Sequence, residues 1–346
     1  MNVNFLDTCG ELAKEKGISP DVLFDAIEAA LISAYRRNFG AVQNVRVALD
    51  RTTGVFQVFS RLKVVETIED SRQEITLEEA QKLDSRYEVE DFVETEITPK
   101  DFGRIAAQTA KQVVVQRLKE AERGIIYDEY AAKEGDIVTG MIHRVERAEQ
   151  KNVYLEIGKT EAVLMPSEQI PHEVYKPGER LKCYLLEVKK TNKGPQILVS
   201  RTHPGLLKRL FELEVPEIHD GFVEIRSVSR EAGARSKIAV YSRDENIDPV
   251  GSCVGPKGSR VQNVVNELRG EKVDIVKWDE DPAVYIANAL SPSKVVSVEV
   301  FEDEKASRVV VPDYQLSLAI GKEGQNARLA AKLTGWKIDI KSEAQL

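Results

Sequence analysis

Val254-Gly255-Pro256-Lys257-Gly258, a helix-patterned run, and then Leu268-Arg269-Gly270-Glu271-Lys272-Val273-Asp274-Ile275 form one continuous stretch of this chain. The same order returns as Ile320-Gly321-Lys322-Glu323-Gly324, a second helix-patterned run, and Leu333-Thr334-Gly335-Trp336-Lys337-Ile338-Asp339-Ile340. Each copy is a glycine pair, a helix, a glycine stop and an edge-like strand, which makes it an internal repeat. Upstream of each lie two β-rich runs, 222–228 and 237–242 in the first copy and 295–301 and 307–311 in the second. A helical stretch stands ahead of those, at 204–213 and 282–290. One glycine pair alone is weak evidence, because such pairs often serve only as helix stops. Two copies matched at both ends are poorly accounted for by chance.

A helix, a GxxG loop, a second helix and a strand make the core of the KH RNA-binding module. Without a Cβ at Gly255, Gly258, Gly321 or Gly324, the chain can turn tightly and a nucleic-acid backbone can approach its peptide groups closely. Amides at the start of the second helix then face phosphates, helped by the positive end of the helix dipole. Lys257, Arg260, Lys322 and Arg328 can add charge-assisted contacts. Ser259, Asn263, Gln325 and Asn326 can bond sugars or base edges, and Val261 can form an apolar floor. Pro256 removes one backbone donor from the first loop. Glu323 repels phosphate locally, so the second copy is expected to bind less tightly or in another register.

Upstream, 134–200 changes texture to five short β-rich runs at 136–144, 152–157, 161–165, 180–189 and 196–200. Gly158, Pro177-Gly178 and Lys193-Gly194-Pro195 break them, which suits a small closed barrel of the OB kind. His143, Lys151 and Tyr154 fall near the second strand, where such folds place groups that stack on bases and meet phosphates. A small barrel also needs aromatics inside, and Tyr154 alone is better read that way.

The N-terminal part carries a helical pattern at Val22, Leu23, Ala26, Ile27, Ala30, Leu31 and Ala34 behind Ser19-Pro20-Asp21. Two strands are expected at 44–49 and 55–62, with a hairpin turn at Thr52-Thr53-Gly54. Between Glu66 and Glu96 there are 12 acidic residues against Arg72, Lys82 and Arg86, with a short helix opening at Thr76-Leu77-Glu78. That face should repel nucleic acid and suit a basic protein surface. A long helix is expected from about Pro99 to Glu122, with Ile105, Ala106, Thr109, Val113 and Leu118 toward the core and Gly124 just beyond its end.

The 346 residues, 42% hydrophobic and 31% charged, suit several domains. The net charge of −8 argues against a simple DNA-coating protein. Only 131–278 has a basic excess, 24 basic against 22 acidic residues. No apolar run long enough for a membrane helix and no secretory signal pattern is present, so a cytoplasmic protein is expected. Cys9, Cys183 and Cys253 show no CxxC spacing and the four histidines no ligand pattern, so neither disulfide nor metal site nor cofactor is expected.

The chain resembles the NusA family of bacterial transcription termination and antitermination factors, over nearly its whole length. The strings that carry this are Asp101-Phe102-Gly103-Arg104-Ile105-Ala106-Ala107-Gln108-Thr109-Ala110-Lys111-Gln112, Asn246-Ile247-Asp248-Pro249-Val250-Gly251 and Ser317-Leu318-Ala319-Ile320-Gly321-Lys322-Glu323-Gly324-Gln325-Asn326-Ala327-Arg328-Leu329-Ala330. The resemblance implies a multidomain α+β chain. Residues 1–130 would form an N-terminal RNA-polymerase-binding domain, 131–201 an OB barrel of the ribosomal S-one type, 202–279 a first KH domain and 280–346 a second. It implies docking near the RNA exit channel of the polymerase core, one continuous surface for nascent single-stranded RNA, and roles in pausing, termination and antitermination with other Nus factors. By the same analogy Arg104 and Lys111 are candidates for polymerase contact, although ordinary exposed basic residues on an amphipathic helix account for them equally well. Some members carry acidic repeats after the second KH module. This sequence stops at Leu346, so regulation by such repeats is not expected, and nothing demands more than a monomer.

Two other classes share these modules. An exoribonuclease of the polynucleotide phosphorylase type needs a large phosphorolytic core, for which 130 residues without a clustered Asp/Asp pattern or nucleophile motif are too few. A ribosome-associated RNA binder shares the modules but not the N-terminal domain with its long helix. A non-enzymatic transcription factor is therefore expected.

Overall fold

A computed structural model gives the structure of the protein and describes residues 11, 17–39, 44–50, 55–71, 73–146 and 151–345. The expected turn at Thr52-Thr53-Gly54 lies outside these. The chain divides into two compact units, Met1–Ile126 and Tyr127–Leu346.

In the first unit the helix α1 (Pro20–Phe39) buries Leu23, Phe24, Ile27, Leu31 and Tyr35. Its apolar positions recur at helical spacing, and they pack on the inward residues of β1 (Asn44–Leu49) and β2 (Phe56–Val65), whose burial alternates as a half-covered sheet requires. β2 pairs antiparallel with β1 and β4 (Phe92–Glu96) and parallel with the short β3 (Glu74–Thr76). Two of these strands thus lie in the acidic segment, where the sequence indicates only a short helix. That helix is present as α2 (Leu77–Leu83), with the Thr76 hydroxyl accepting from the Glu79 N–H. The long helix α3 runs over Phe102–Ala131, so it does not stop before Gly124. Its innermost line is Phe102, Ala106, Ala110 and Val114, with Ile105, Val113 and Leu118 packed beside it.

The second unit begins with a closed barrel of β5 (Ile137–Val145), β6 (Val153–Ile157), β7 (Thr160–Leu164), β8 (Arg180–Thr191) and β9 (Gly194–Ser200), in the order β5-β6-β7-β9-β8. Alternating residues such as Val153, Leu155 and Ile157 fill its interior. Two three-stranded sheets follow, each with one antiparallel and one parallel pairing. The first joins β10 (Val223–Glu231), β11 (Arg235–Ser242) and β12 (Lys272–Lys277), covered by α4 (Pro204–Glu214), the one-turn α5 (Pro216–His219), α6 (Pro249–Val254) and α7 (Ser259–Glu267). The second joins β13 (Ser297–Phe301), β14 (Ala306–Val311) and β15 (Lys337–Ser342), covered by α8 (Pro282–Ala289), α9 (Leu316–Ile320) and α10 (Gln325–Thr334). The repeat seen in the sequence is thus a repeat of fold. Cys183 and Cys253 are buried free thiols, and burial pushes both up to about 12.

Candidate nucleic-acid interface

The two glycine loops have nearly the same backbone. Gly255 and Gly321 sit at φ 72° and 76° with ψ near 175° and 172°, a region open essentially to glycine alone. Lys257 and Glu323 follow at φ 54° and 53°, then Gly258 and Gly324 at 76° and 73°. The paired glycines do different work. A Cβ on Gly255 would lie 2.6 Å from Arg260 Cγ, and one on Gly321 2.8 Å from Asn326 Cβ. A Cβ on Gly258 would meet nothing within 4 Å, and one on Gly324 only Arg328 Nη1 at 3.8 Å. The first glycine is closed against the protein, and the second faces open space from which a phosphate backbone can approach. α7 and α10 start directly behind the loops, and no side chain caps either start. The first amide of each, Ser259 N–H and Gln325 N–H, turns back to the Pro256 and Lys322 carbonyls, and no side chain competes with an external acceptor for the amides that follow.

Arg260 and Asn326 occupy the same position of the repeat and share a task that the sequence does not reveal. Arg260 Nη1 donates to the Ser252 carbonyl at 2.6 Å and to Glu217 Oε2 at 2.9 Å. Asn326 is buried, and its Nδ2 donates to the carbonyls of Ala319 and Leu290, both at 3.0 Å. Each side chain folds back over its first glycine and holds the end of the short helix before the loop, answering carbonyls left orphaned there. The reading of Asn326 as an RNA contact is therefore corrected: the side chain is buried and its amide nitrogen is spent inside the protein. Arg260 is largely committed in the same way.

Of the remaining loop candidates, Pro256, Lys257, Ser259, Lys322 and Glu323 are exposed around the open side. Val261 is half-buried and packs against the core of the first repeat, so it lies under the loop more than on it. Asn263 is exposed but donates to Glu214 Oε2 at 2.9 Å. Gln325 and Arg328 both reach Glu231 at the end of β10, with Gln325 Nε2 to Oε2 at 2.9 Å and Arg328 Nε to Oε1 at 2.7 Å. Arg328 in turn holds the Glu231 carboxyl below the usual carboxylate range.

On the barrel, Tyr154 points outward between the inward Val153 and Leu155, so it is not a core aromatic. Its ring lies under the Arg144 guanidinium at 4.0 Å and its hydroxyl donates to Glu146 Oε1 at 2.8 Å. His143 is exposed at a bulge of the β5–β6 pairing, with Nδ1 3.9 Å from Glu161 Oε1. Lys151 is exposed at φ 36°, and its carbonyl accepts from Gln169 Nε2. Arg144, absent from the sequence-based candidates, joins this face through its stack on Tyr154. Arithmetic on charge cannot find it, since it is visible only once the strand pairing is known. In the first unit Arg104 and Lys111 are both exposed, seven positions apart and hence on one face of α3.

Buried charges fix the modules of the second unit against each other. Arg201, fully buried just after β9, donates to Glu173 at 2.6 Å, to the Lys182 carbonyl and to the Glu267 carbonyl at the end of α7. Arg269, in the turn after α7, reaches the same Glu173 and also Glu179. Tyr184 of the barrel stacks on His203 at 4.4 Å and packs on the core of the first repeat. Between the repeats, Ala239 and Val276 of the first sheet belong to the core that Tyr285, Ile286 and Leu333 build in the second. Lys237, buried beside Asp274, donates to the Ser291 carbonyl at 2.8 Å. The barrel face and both loops are thus held in one piece.

Four family models match the chain: NusA N-terminal domain over 4–124, S1 RNA binding domain over 131–200, NusA-like first KH domain over 201–278 and NusA-like second KH domain over 282–346. The transcription termination/antitermination protein NusA of Halalkalibacterium halodurans is 64% identical over 345 residues, covering 100% of this chain and 90% of that protein. That of Bacillus subtilis is 64% identical over 343 residues, covering 99% and 92%. A solution structure of the N-terminal domain of NusA from B. subtilis is 60% identical and covers 36% of this chain and 99% of that one, with a TM-score of 0.33.

Proposed function

The chain belongs to the NusA family of transcription termination/antitermination proteins, and from that premise we propose that it binds the core of RNA polymerase through residues 1–130 while the barrel and the paired KH loops hold the nascent single-stranded RNA. As a member it is a transcription factor with RNA-binding S1 and KH domains and not an enzyme. No described helix is long and apolar enough to cross a membrane. We place its work in the cytoplasm, as a monomer, alongside other Nus factors.

The observation that carries the RNA reading is the pair of loops with matched dihedral angles, each with an open second glycine before an uncapped helix start. Several weak sites in one rigid row raise the overall affinity by effective concentration, without any single strong contact. Held at the exit of the polymerase, such a row biases whether emerging RNA folds into a hairpin or stays single-stranded. On α3, Arg104 and Lys111 offer two cations on one face for the polymerase.

The division of labour is tested by pull-down of core polymerase with residues 1–130 and with 131–346, and by single-stranded RNA binding to each. Polymerase with the first piece and RNA with the second is the expected result. A first piece that ignores polymerase leaves a general RNA-binding protein and overturns the docking half of the proposal.

A further inference from the structure

The two loops differ in charge at one conformationally matched position. The residue in the left-handed region between the glycines is Lys257 in the first and Glu323 in the second. A carboxylate there opposes phosphate and offsets the charge of the neighbouring Lys322, so the second loop needs a further cation to match the first. Arg328 stands in the required place. Its Nη1 donates to the Glu323 carbonyl at 2.9 Å and lies 3.8 Å from the Cβ position of Gly324, beside the open side of the loop. The matching residue of the first repeat is the uncharged Gln262.

Arg328 is oriented from outside its own repeat. Glu231, the last residue of β10 in the first repeat, accepts from Arg328 Nε with one oxygen and from Gln325 Nε2 with the other. Gln325 is the first residue of α10, so one carboxylate fixes both the cation and the start of the helix behind the loop. The Arg328 side chain remains 47% exposed. A guanidinium carries five N–H donors in a fixed fork, and the bonds to Glu231 and Glu323 use only two of them.

We propose that Glu231 of the first repeat is a positioning residue for RNA at the second loop, completing that loop's phosphate site by holding Arg328 and Gln325 toward its open side. This rests on reading the loops as RNA sites. It makes the second repeat dependent on the first for its chemistry, beyond their being linked.

The test uses the full chain carrying Gly258→Asp, so that the second loop dominates, and measures binding of a labelled mixed-sequence single-stranded RNA across a salt series. E231Q and R328Q should each weaken binding about tenfold, since each loses one charge-assisted contact. Each should also flatten the salt dependence by about 0.7, the value for one phosphate on a single strand. The double variant E231Q/R328Q should fall no further than either. The charge-swapped E231R/R328E should recover the unfolding midpoint of the parent without recovering RNA binding. Binding by E231Q equal to or tighter than the parent overturns the proposal, and so does restoration of RNA binding by the swap, which would make the pair mere glue between repeats. The underlying reading is checked separately in a chain carrying both Gly258→Asp and Gly324→Asp. If that chain keeps RNA the loops are not the site. If it loses RNA while E231Q does not, the loops stand and only the role of Glu231 falls.

Discussion

Gly255 and Gly258 belong to one loop, yet alanine meets a different obstacle at each. At Gly255 it meets both a glycine-only backbone region and the Arg260 side chain 2.6 Å away, whereas at Gly258 it meets only left-handed strain in open space. Gly258→Ala should cost about 1–2 kcal/mol of stability. Gly255→Ala should cost more, because Arg260 must leave the Ser252 carbonyl it holds, and denaturant unfolding of the two variants measures the difference. At Asn326, Asn326→Ala strips the donor from two buried carbonyls and should lower stability by about 1–3 kcal/mol. Calorimetry should show that loss even without RNA, whereas a residue that only touched RNA would leave the midpoint unchanged. The sequence shows the glycines plainly, because glycine has few other reasons to recur in matched pairs. It misassigns Asn326 and does not show the inward bonds of Arg260, because a polar residue on a helix start has the same appearance whether its side chain reaches outward or folds back.

Elements were legible where their pattern was strong and misread where one local signal competed with many. The barrel strands and the repeat strands fall within a few residues of the alternating runs that mark them. Gly124 reads as a stop, but α3 continues to Ala131: a glycine inside a helix costs only about 1 kcal/mol, and beyond it Tyr130 is buried with its hydroxyl donating to the Ile157 carbonyl. β3 has three residues and too little pattern to show, and β4 hides its one buried residue, Val93, among acids. The turn between β10 and β11 and the start of β12 are tied by an ion pair that no periodicity announces. Burial alone would raise Glu271. The Arg230 guanidinium, with Ser236 Oγ and the Gly233 N–H, overcomes this and holds the carboxyl below its ordinary range. A carboxyl with a depressed folded value contributes stability that is present above its unfolded value, near 4.3, and lost as pH falls through the folded one. Stability of the native chain should therefore drop on acidification below about pH 4.3. Glu271→Gln should be less stable at neutral pH and should show a smaller acid-dependent loss when unfolding is followed across that range.

At the scale of the molecule, the order of modules could be read from the sequence, and the rigidity of the second unit could not. That rigidity comes from Arg201, Glu173 and Glu267 at one joint and from a core shared by Val276 and Ile286 at the other, contacts between residues far apart in the chain. Breaking one partner of a buried pair such as Arg201–Glu173 typically costs about 3–5 kcal/mol, so the joint resists opening. A rigid row gains affinity by holding one strand at several points, and the proposed points are the two glycine loops. Aspartate at Gly258 and Gly324 tests it with little risk to the fold, because both sites open to solvent and aspartate tolerates left-handed backbone. The measurement is single-stranded RNA affinity of the full chain carrying Gly258→Asp and Gly324→Asp, beside its capture of core polymerase. Loss of most RNA affinity with polymerase capture intact is the predicted result. Undiminished RNA affinity, or equal loss of both activities, would contradict it.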